Sequence, residues 1–210
     1  MSISKYTPPI GWVDPASYPG IDSLSKKWQI IVDELSKAIS LDIPWLHFTD
    51  DDSVAALSAR SQQEVEALIR PRLVPLAAPA PHKLLPLLRE RQAFLSARQL
   101  CPETVNLIES FPAAINAAFA ALEAGGKIDR HQGSSNLVDR CHLGLIIPSG
   151  DAALSVSNIP RTWDNGQLLI FDDRAFHEAW NRTEERRVVL IVDLEKDRSV
   201  NRRGLPGGQA

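Results

Sequence analysis

Four short runs, CHLGLII (141–147), AALSVS (152–157), QLLIF (167–171) and RVVLIVDL (187–194), decide how this chain is read. Each is rich in leucine or β-branched residues, and PSG, WDNG and NRTEE, all turn-favouring, separate them. Several short strands joined by turns predict an antiparallel sandwich or barrel rather than βαβ units.

Upstream the pattern changes. From Ser23, an expected N-cap, LSKKWQIIVDELSKAI sets Trp28, Ile31, Leu35 and Ile39 at helical spacing, with Lys26, Lys27, Asp33 and Lys37 opposite. Residues 52–70 read as a second helix that Pro71 and the proline run after it end. A helical pattern interrupted by Pro86 is expected over 82–98, and another from Pro102 over 102–110. The expected plan is therefore an irregular arm (1–22, with Pro8, Pro9, Pro15 and Pro19), a helical region (23–113) packed on a β core (114–196), and a mobile tail (197–210), in one domain overall.

Composition bounds the partners. The 210 residues are 44% hydrophobic and 23% charged, enough for one globular core. Twenty-three basic against 26 acidic residues give a net charge of −3, no footprint for nucleic acid or an anionic membrane. Small molecules or neutral peptides are the expected partners. No run reaches the roughly 18 apolar residues of a membrane helix, and the first residues lack signal-peptide features, so a cytoplasmic protein is expected. Cys101 and Cys141 lack CxxC spacing and read as buried thiols.

Five histidines, His47, His82, His131, His142 and His177, can be inspected one by one. His131 opens HQGSSN before one strand, and His177 closes FDDRAFHE after another. Strand-end side chains on a rigid sheet are where sites are built. Two histidines without a nearby cysteine disfavour closed structural zinc and suit an open site; imidazole accepts iron, zinc, copper or nickel. Two histidines and a carboxylate with vacant positions form the non-heme Fe(II) oxygenase arrangement. Alternation puts Arg187, Val189, Ile191 and Asp193 on one strand face, so Arg187 leads an apolar run inward and calls for an anion it can fork onto. Arg140, His142 and Gly144 share a face too, suggesting a lined pocket, although Arg140 could instead pair with Asp139 or another acid. Asp172, Asp173 and Glu178 could orient His177 or serve the turn. Trp163 is expected beside the Asp164-Asn165-Gly166 turn, and Trp180 as a core or pocket-wall aromatic.

The motifs H-x-G-x-x-N from His131, R-x-H-L-G-L from Arg140, F-D-D-x-x-x-H-E ending at Glu178, and an arginine ten residues after His177 occur in this order. Together they resemble the aspartyl/asparaginyl β-hydroxylase family over roughly residues 101–195. The resemblance implies a double-stranded β-helix, the cupin-like jelly roll, an α+β fold with a mainly β core. It implies a dioxygenase using Fe(II), 2-oxoglutarate and dioxygen and yielding succinate and CO2. His131 and His177 would hold the metal, Arg187 the distal carboxylate of 2-oxoglutarate, and His142 and Arg140 would lie by its other end. Gly133 stands where most such oxygenases place a carboxylate ligand. One departure is Ala120, where the family carries a serine that helps to bind 2-oxoglutarate.

The expected activity is hydroxylation of an amino-acid-type substrate, such as an Asp- or Asn-like side chain, free, carrier-bound or in a peptide. Arg140 is a further expectation as partner of a substrate carboxylate. The alternatives are a hydroxylase of another small molecule or an acyl chain, and a non-catalytic cupin-like binding protein.

Overall fold

A computed structural model describes residues 10–41, 45–48, 82–133 and 135–196, without the side chains of 46–48. The helix expected over 52–70, the first nine residues of the arm, the tail from 197 and the side chain of His47 lie outside the described residues.

The strands after residue 113 are divided between two sheets. β5 (Ala114–Leu122), β7 (Val138–Ile146), β10 (Leu168–Asp172) and β12 (Arg187–Glu195) pair in the order β10-β7-β12-β5. β6 (Lys127–His131), β8 (Ala152–Val156), β9 (Ile159–Arg161) and β11 (His177–Asn181) pair in the order β6-β11-β8-β9. All of these pairings are antiparallel. A chain that crosses between two facing sheets in this way winds a double-stranded β-helix, the jelly roll. The larger sheet is extended by β1 (Trp12–Val13) on one side, and by β3 (His82–Arg89) and β2 (Leu46–Phe48) on the other; β4 (Gln92–Ala93) pairs with β3.

Both faces of the larger sheet are covered. Outward, Phe119, Ala121, Cys141, Leu143, Leu190 and Val192 meet Ile31, Leu35 and Ala38 of α2 (Trp28–Ser40) and Val105 and Ile108 of α4 (Pro102–Glu109). Inward, Leu84, Ala120, Val189 and Phe171 meet Leu154, Val156 and Ala179 of the smaller sheet. Double burial explains why RVVLIVDL is almost continuously apolar.

The same burial corrects the reading of 82–98. These residues form β3, β4 and only then the short helix α3 (Leu95–Leu100). Leu84 faces the sandwich while Leu85, Leu87 and Leu88 face the helices, so no polar alternation marked the strand. Pro86, which lacks a ladder donor, sits where the pairing of β3 with β5 slips by a residue. Glu90 and Arg91 turn the chain at φ +48° and +66°, without the Asn-Gly signature of such a turn. The amphipathic helix expected from Ser23 is also two pieces, α1 (Asp22–Lys26) and α2, and Ser23 lies inside α1 rather than capping it.

Two of the covering helices are tied by one carboxylate. Glu34 of α2, 6% exposed, accepts hydrogen bonds from the backbone N–H groups of Glu103 (2.9 Å) and Thr104 (2.8 Å) and from the Thr104 hydroxyl (2.6 Å). These are free donors in the first turn of α4. Glu34→Ala should lower the unfolding free energy by about 1–3 kcal/mol, read from the urea midpoint at unchanged slope. A midpoint equal to wild type would mean that water replaces the carboxylate without loss.

Candidate active site

Antiparallel pairing of β6 with β11 sets His131 opposite His177. Their rings lie 4.2 Å apart, centre to centre, at 56°. His131 Nδ1 is 2.7 Å from the Asp129 carbonyl, and His177 Nδ1 is 2.9 Å from the Ala175 carbonyl. A carbonyl only accepts, so each Nδ1 donates, and in the neutral ring Nε2 is left with the lone pair. Neighbouring imidazoles oriented in this way fit a metal ion. Burial, with smaller contributions from His131 and Arg140, pulls the His177 pKa down to about 4, so it is neutral at pH 7.

Behind the pair, polar groups penetrate the sandwich. Phe171 lies 5.0 Å from the His177 ring and 5.3 Å from His142, and Trp163 stacks on His142 at 6.0 Å and 16°. The Arg187 guanidinium carbon is 5.1 Å from the Trp163 ring. Arg187 is 1% exposed, and its Nε and Nη1 have no hydrogen-bond partner, nor do the buried Nε1 of Trp163 and both ring nitrogens of His142. Burial lowers the Arg187 pKa to about 10, which still leaves it charged at neutral pH. A buried cation and neighbouring donors without acceptors fit a small acid.

Beside the imidazoles, of which His177 is buried and His131 exposed, lies a buried carboxylate cluster. Arg140 Nε donates to Asp193 Oδ1 at 2.8 Å, and Arg140 Nη1 forms an ion pair with Asp173 Oδ1 at 2.9 Å without an N–H aligned on that oxygen. Asp173 Oδ1 is 3.9 Å from His177 Nε2. A Cβ on Gly133 would fall 1.5 Å from Asp173 Oδ2, so the glycine clears the space that this carboxylate fills. Among the described residues no three His, Cys, Asp or Glu side chains converge tightly enough to hold a metal by themselves.

The model of the family described as aspartyl/asparaginyl beta-hydroxylase matches residues 25–197. The chain belongs to that family. The ornithine lipid ester-linked acyl 2-hydroxylase of Rhizobium tropici is 43% identical over 98 residues, covering 46% of this chain and 35% of that protein. The human aspartyl/asparaginyl beta-hydroxylase is 34% identical over 98 residues, covering 44% of this chain and 13% of its own length. This chain thus spans about a third or less of these curated relatives. Among solved structures, the cupin domain of Schizosaccharomyces pombe Cnp3 aligns at TM-score 0.40 and 13% identity, over 64% of this chain and 78% of that one. No helix among the described residues is long and apolar enough to cross a membrane.

The fold brings His131, His142, His177, Arg140 and Arg187 into one region of the sandwich. Trp163, read as a turn-side aromatic, also stacks on His142 and lies against the Arg187 guanidinium. Its only sequence signal was a tryptophan directly before a tight turn. Backbone carbonyls, not Asp172 or Glu178, fix the histidine tautomers; Asp172 accepts from the Arg174 backbone N–H and pairs with Lys196, a turn role. His82 shares an inward row with Leu122 and Arg187, and burial pulls its pKa to about 3.

Burial next to Arg187 likewise drives the His142 pKa well below the ordinary imidazole value. Below pH about 6.5 the unfolded chain takes up protons that these folded histidines refuse, so unfolding free energy falls as pH drops toward about 4. His142→Gln should make the fall between pH 7 and 5 shallower by on the order of 1 kcal/mol. An unchanged slope in paired denaturation curves would show that His142 does titrate in the folded protein.

Proposed function

We propose that this chain is an Fe(II)- and 2-oxoglutarate-dependent hydroxylase. The observation that carries the reading is the buried guanidinium of Arg187, lacking partners at Nε and Nη1 in the pocket behind two imidazoles with free Nε2 lone pairs. A dicarboxylate reaching from the imidazole pair to Arg187 would satisfy both ends.

His131 and His177 would hold the metal through Nε2, leaving the remaining coordination positions to cosubstrate, dioxygen and water. When bound, iron and 2-oxoglutarate supply the power to activate dioxygen against a C–H bond, with succinate and CO2 as coproducts. The chain's residues do the positioning. Arg187 would fork onto the distal carboxylate, a geometry that a lysine cannot copy. Trp163 Nε1 and the His142 ring offer hydrogen bonds along the way, and Ala120 removes the one that a serine would add. Phe171, Leu169 and Val189 keep water from the pocket wall. Asp173, in the space cleared by Gly133, has Oδ1 3.9 Å from His177 Nε2 and would border the site that the two imidazoles form.

The names of the relatives divide the substrates into aspartyl or asparaginyl groups and a lipid acyl chain. Both need the same machinery. They differ in the charge presented to it.

Anaerobic protein given Fe(II) and 2-oxoglutarate should develop the weak visible absorption of a chelated cosubstrate, and His131→Ala should abolish it. Persistence of the band in that variant would remove His131 from the metal. Arg187→Lys should raise the 2-oxoglutarate Kd by about tenfold or more while metal binding changes little. Equal losses of both would contradict the assigned role.

A further inference from the structure

Residues 10–21 lie ahead of the segment, 25–197, that the family model matches, yet they clasp the β10 edge of the larger sheet. Gly11, at φ +85°, accepts at its carbonyl from the Asp172 N–H (2.9 Å), and a Cβ there would meet Val156, Ser157 and Ala175 at 3.0 Å or less. After the two residues of β1, Asp14 accepts from the Ala16 N–H at 2.9 Å and so caps the 3-10 turn Pro15–Ser17. That turn carries the chain round β10 to the other face. Trp12 therefore lies in the inner core between the sheets, while Tyr18 packs in the core that faces the helices. The Tyr18 hydroxyl donates to Asp139 Oδ2 at 2.8 Å, and Lys196 Nζ joins Asp139 (3.2 Å) to Asp172 (2.6 Å).

The inner end of the clasp reaches the histidines through one ring. Sheet register sets Trp12 beside Phe171, Phe171 beside Arg140, and Arg140 beside Asp193, in a single row across β1, β10, β7 and β12. Trp12, 4% exposed, meets Phe171 edge to face at 6.2 Å and 69°, and Phe171 in turn lies 5.0 Å from the His177 ring and 5.3 Å from His142. From β9 of the smaller sheet, the Arg161 guanidinium covers the indole at 4.5 Å from the ring centre. Trp12 thus bridges the two sheets beside the site. Its Nε1 is buried without an acceptor, so packing rather than hydrogen bonding holds the indole there. What it packs against is a ring that lies on both histidines.

We propose that this clasp is part of the active site: Trp12 is a positioning residue that holds Phe171 against His177 and His142, and the hydrogen bond from Tyr18 to Asp139 latches the segment to the sheet. Without the indole, Phe171 would relax into the vacated space. The His177 ring, held otherwise by its Nδ1–H bond to the Ala175 carbonyl and by the His131 ring, would then lose its fixed direction. The proposal rests on the hydroxylase reading for what the imidazoles bind, but the ring positions can be read without any metal.

The test compares the full chain with Trp12→Ala, Trp12→Phe, Tyr18→Phe and, as a destabilising control away from the site, Glu34→Ala. In metal-free protein, nuclear Overhauser contacts from the Phe171 ring to the His177 and His142 rings should weaken in Trp12→Ala and persist in Trp12→Phe and Glu34→Ala. Co(II), whose visible absorption reports coordination, then stands in for Fe(II) in a titration. Its Kd should rise about tenfold or more in Trp12→Ala and stay within about threefold of wild type in Trp12→Phe and Glu34→Ala. Tyr18→Phe should speed hydrogen exchange of the Asp172 N–H, which donates to Gly11, by about tenfold without doing so along β12. If Trp12→Ala does not fold, Trp12→Leu should show the same losses in smaller measure. Unchanged ring contacts and Kd in the folded variant, or equal weakening by Glu34→Ala, overturns the role of Trp12, and unchanged Asp172 exchange in Tyr18→Phe overturns the latch. Wild type that keeps the ring contacts, loses them in Trp12→Ala and takes up no Co(II) would instead sink the hydroxylase reading and leave the clasp standing.

Discussion

A guanidinium sealed inside a β-sandwich has to be answered by an anion. Arg187 is 1% exposed with two of its nitrogens unpartnered, and removing such a charge from water costs several kcal/mol even after relaxation. Burial weakens its hold on the proton, yet a pKa near 10 keeps it cationic at neutral pH. Under the proposed function, an acid forked onto the charge would offset this cost and turn an internal destabilisation into affinity for one kind of molecule, along whose line the rest of the site would lie.

The arrangement follows from sheet register. Pairing of β12 with β5 and β7 puts Arg187 beside Leu122, Val189 beside Ala120, Ile191 beside His142, and Asp193 beside Arg140. Reading along that inner face, a cation gives way to apolar wall, then to an imidazole, then to a neutralised ion pair. The facing sheet contributes the two histidines from adjacent strand ends. Helices on the outer face bury the other side of the larger sheet, and Glu34 ties them together through the first turn of α4. Rigid strands therefore hold every proposed ligand, and the loop residues near them serve chiefly to place carbonyls and Asp173.

Much of this was legible beforehand, and the reasons differ by element. His131, His177 and Arg187 stand at strand ends in motifs whose spacing is that of the family, so the candidate residues that the fold brings together could be named from the sequence. The inward face of β12 followed from strict alternation. β3 was misread because its leucines serve both faces of a doubly covered sheet, which erases the alternation that distinguishes strand from helix, and Pro86 sits at a pairing irregularity that local sequence does not announce. The role of Trp163 was hidden for another reason: a residue before a turn shows its partners only when the strands that flank it are folded. The use of Gly133 to admit Asp173 from a second loop is likewise a contact across about forty residues, invisible to any local pattern.

The most direct examination is a crystal structure of the anaerobic protein grown with Fe(II) and 2-oxoglutarate. The account requires the metal on Nε2 of His131 and His177, with the distal carboxylate of the acid forked onto Arg187. Density for the acid away from Arg187, or a metal bound without both imidazoles, would contradict it.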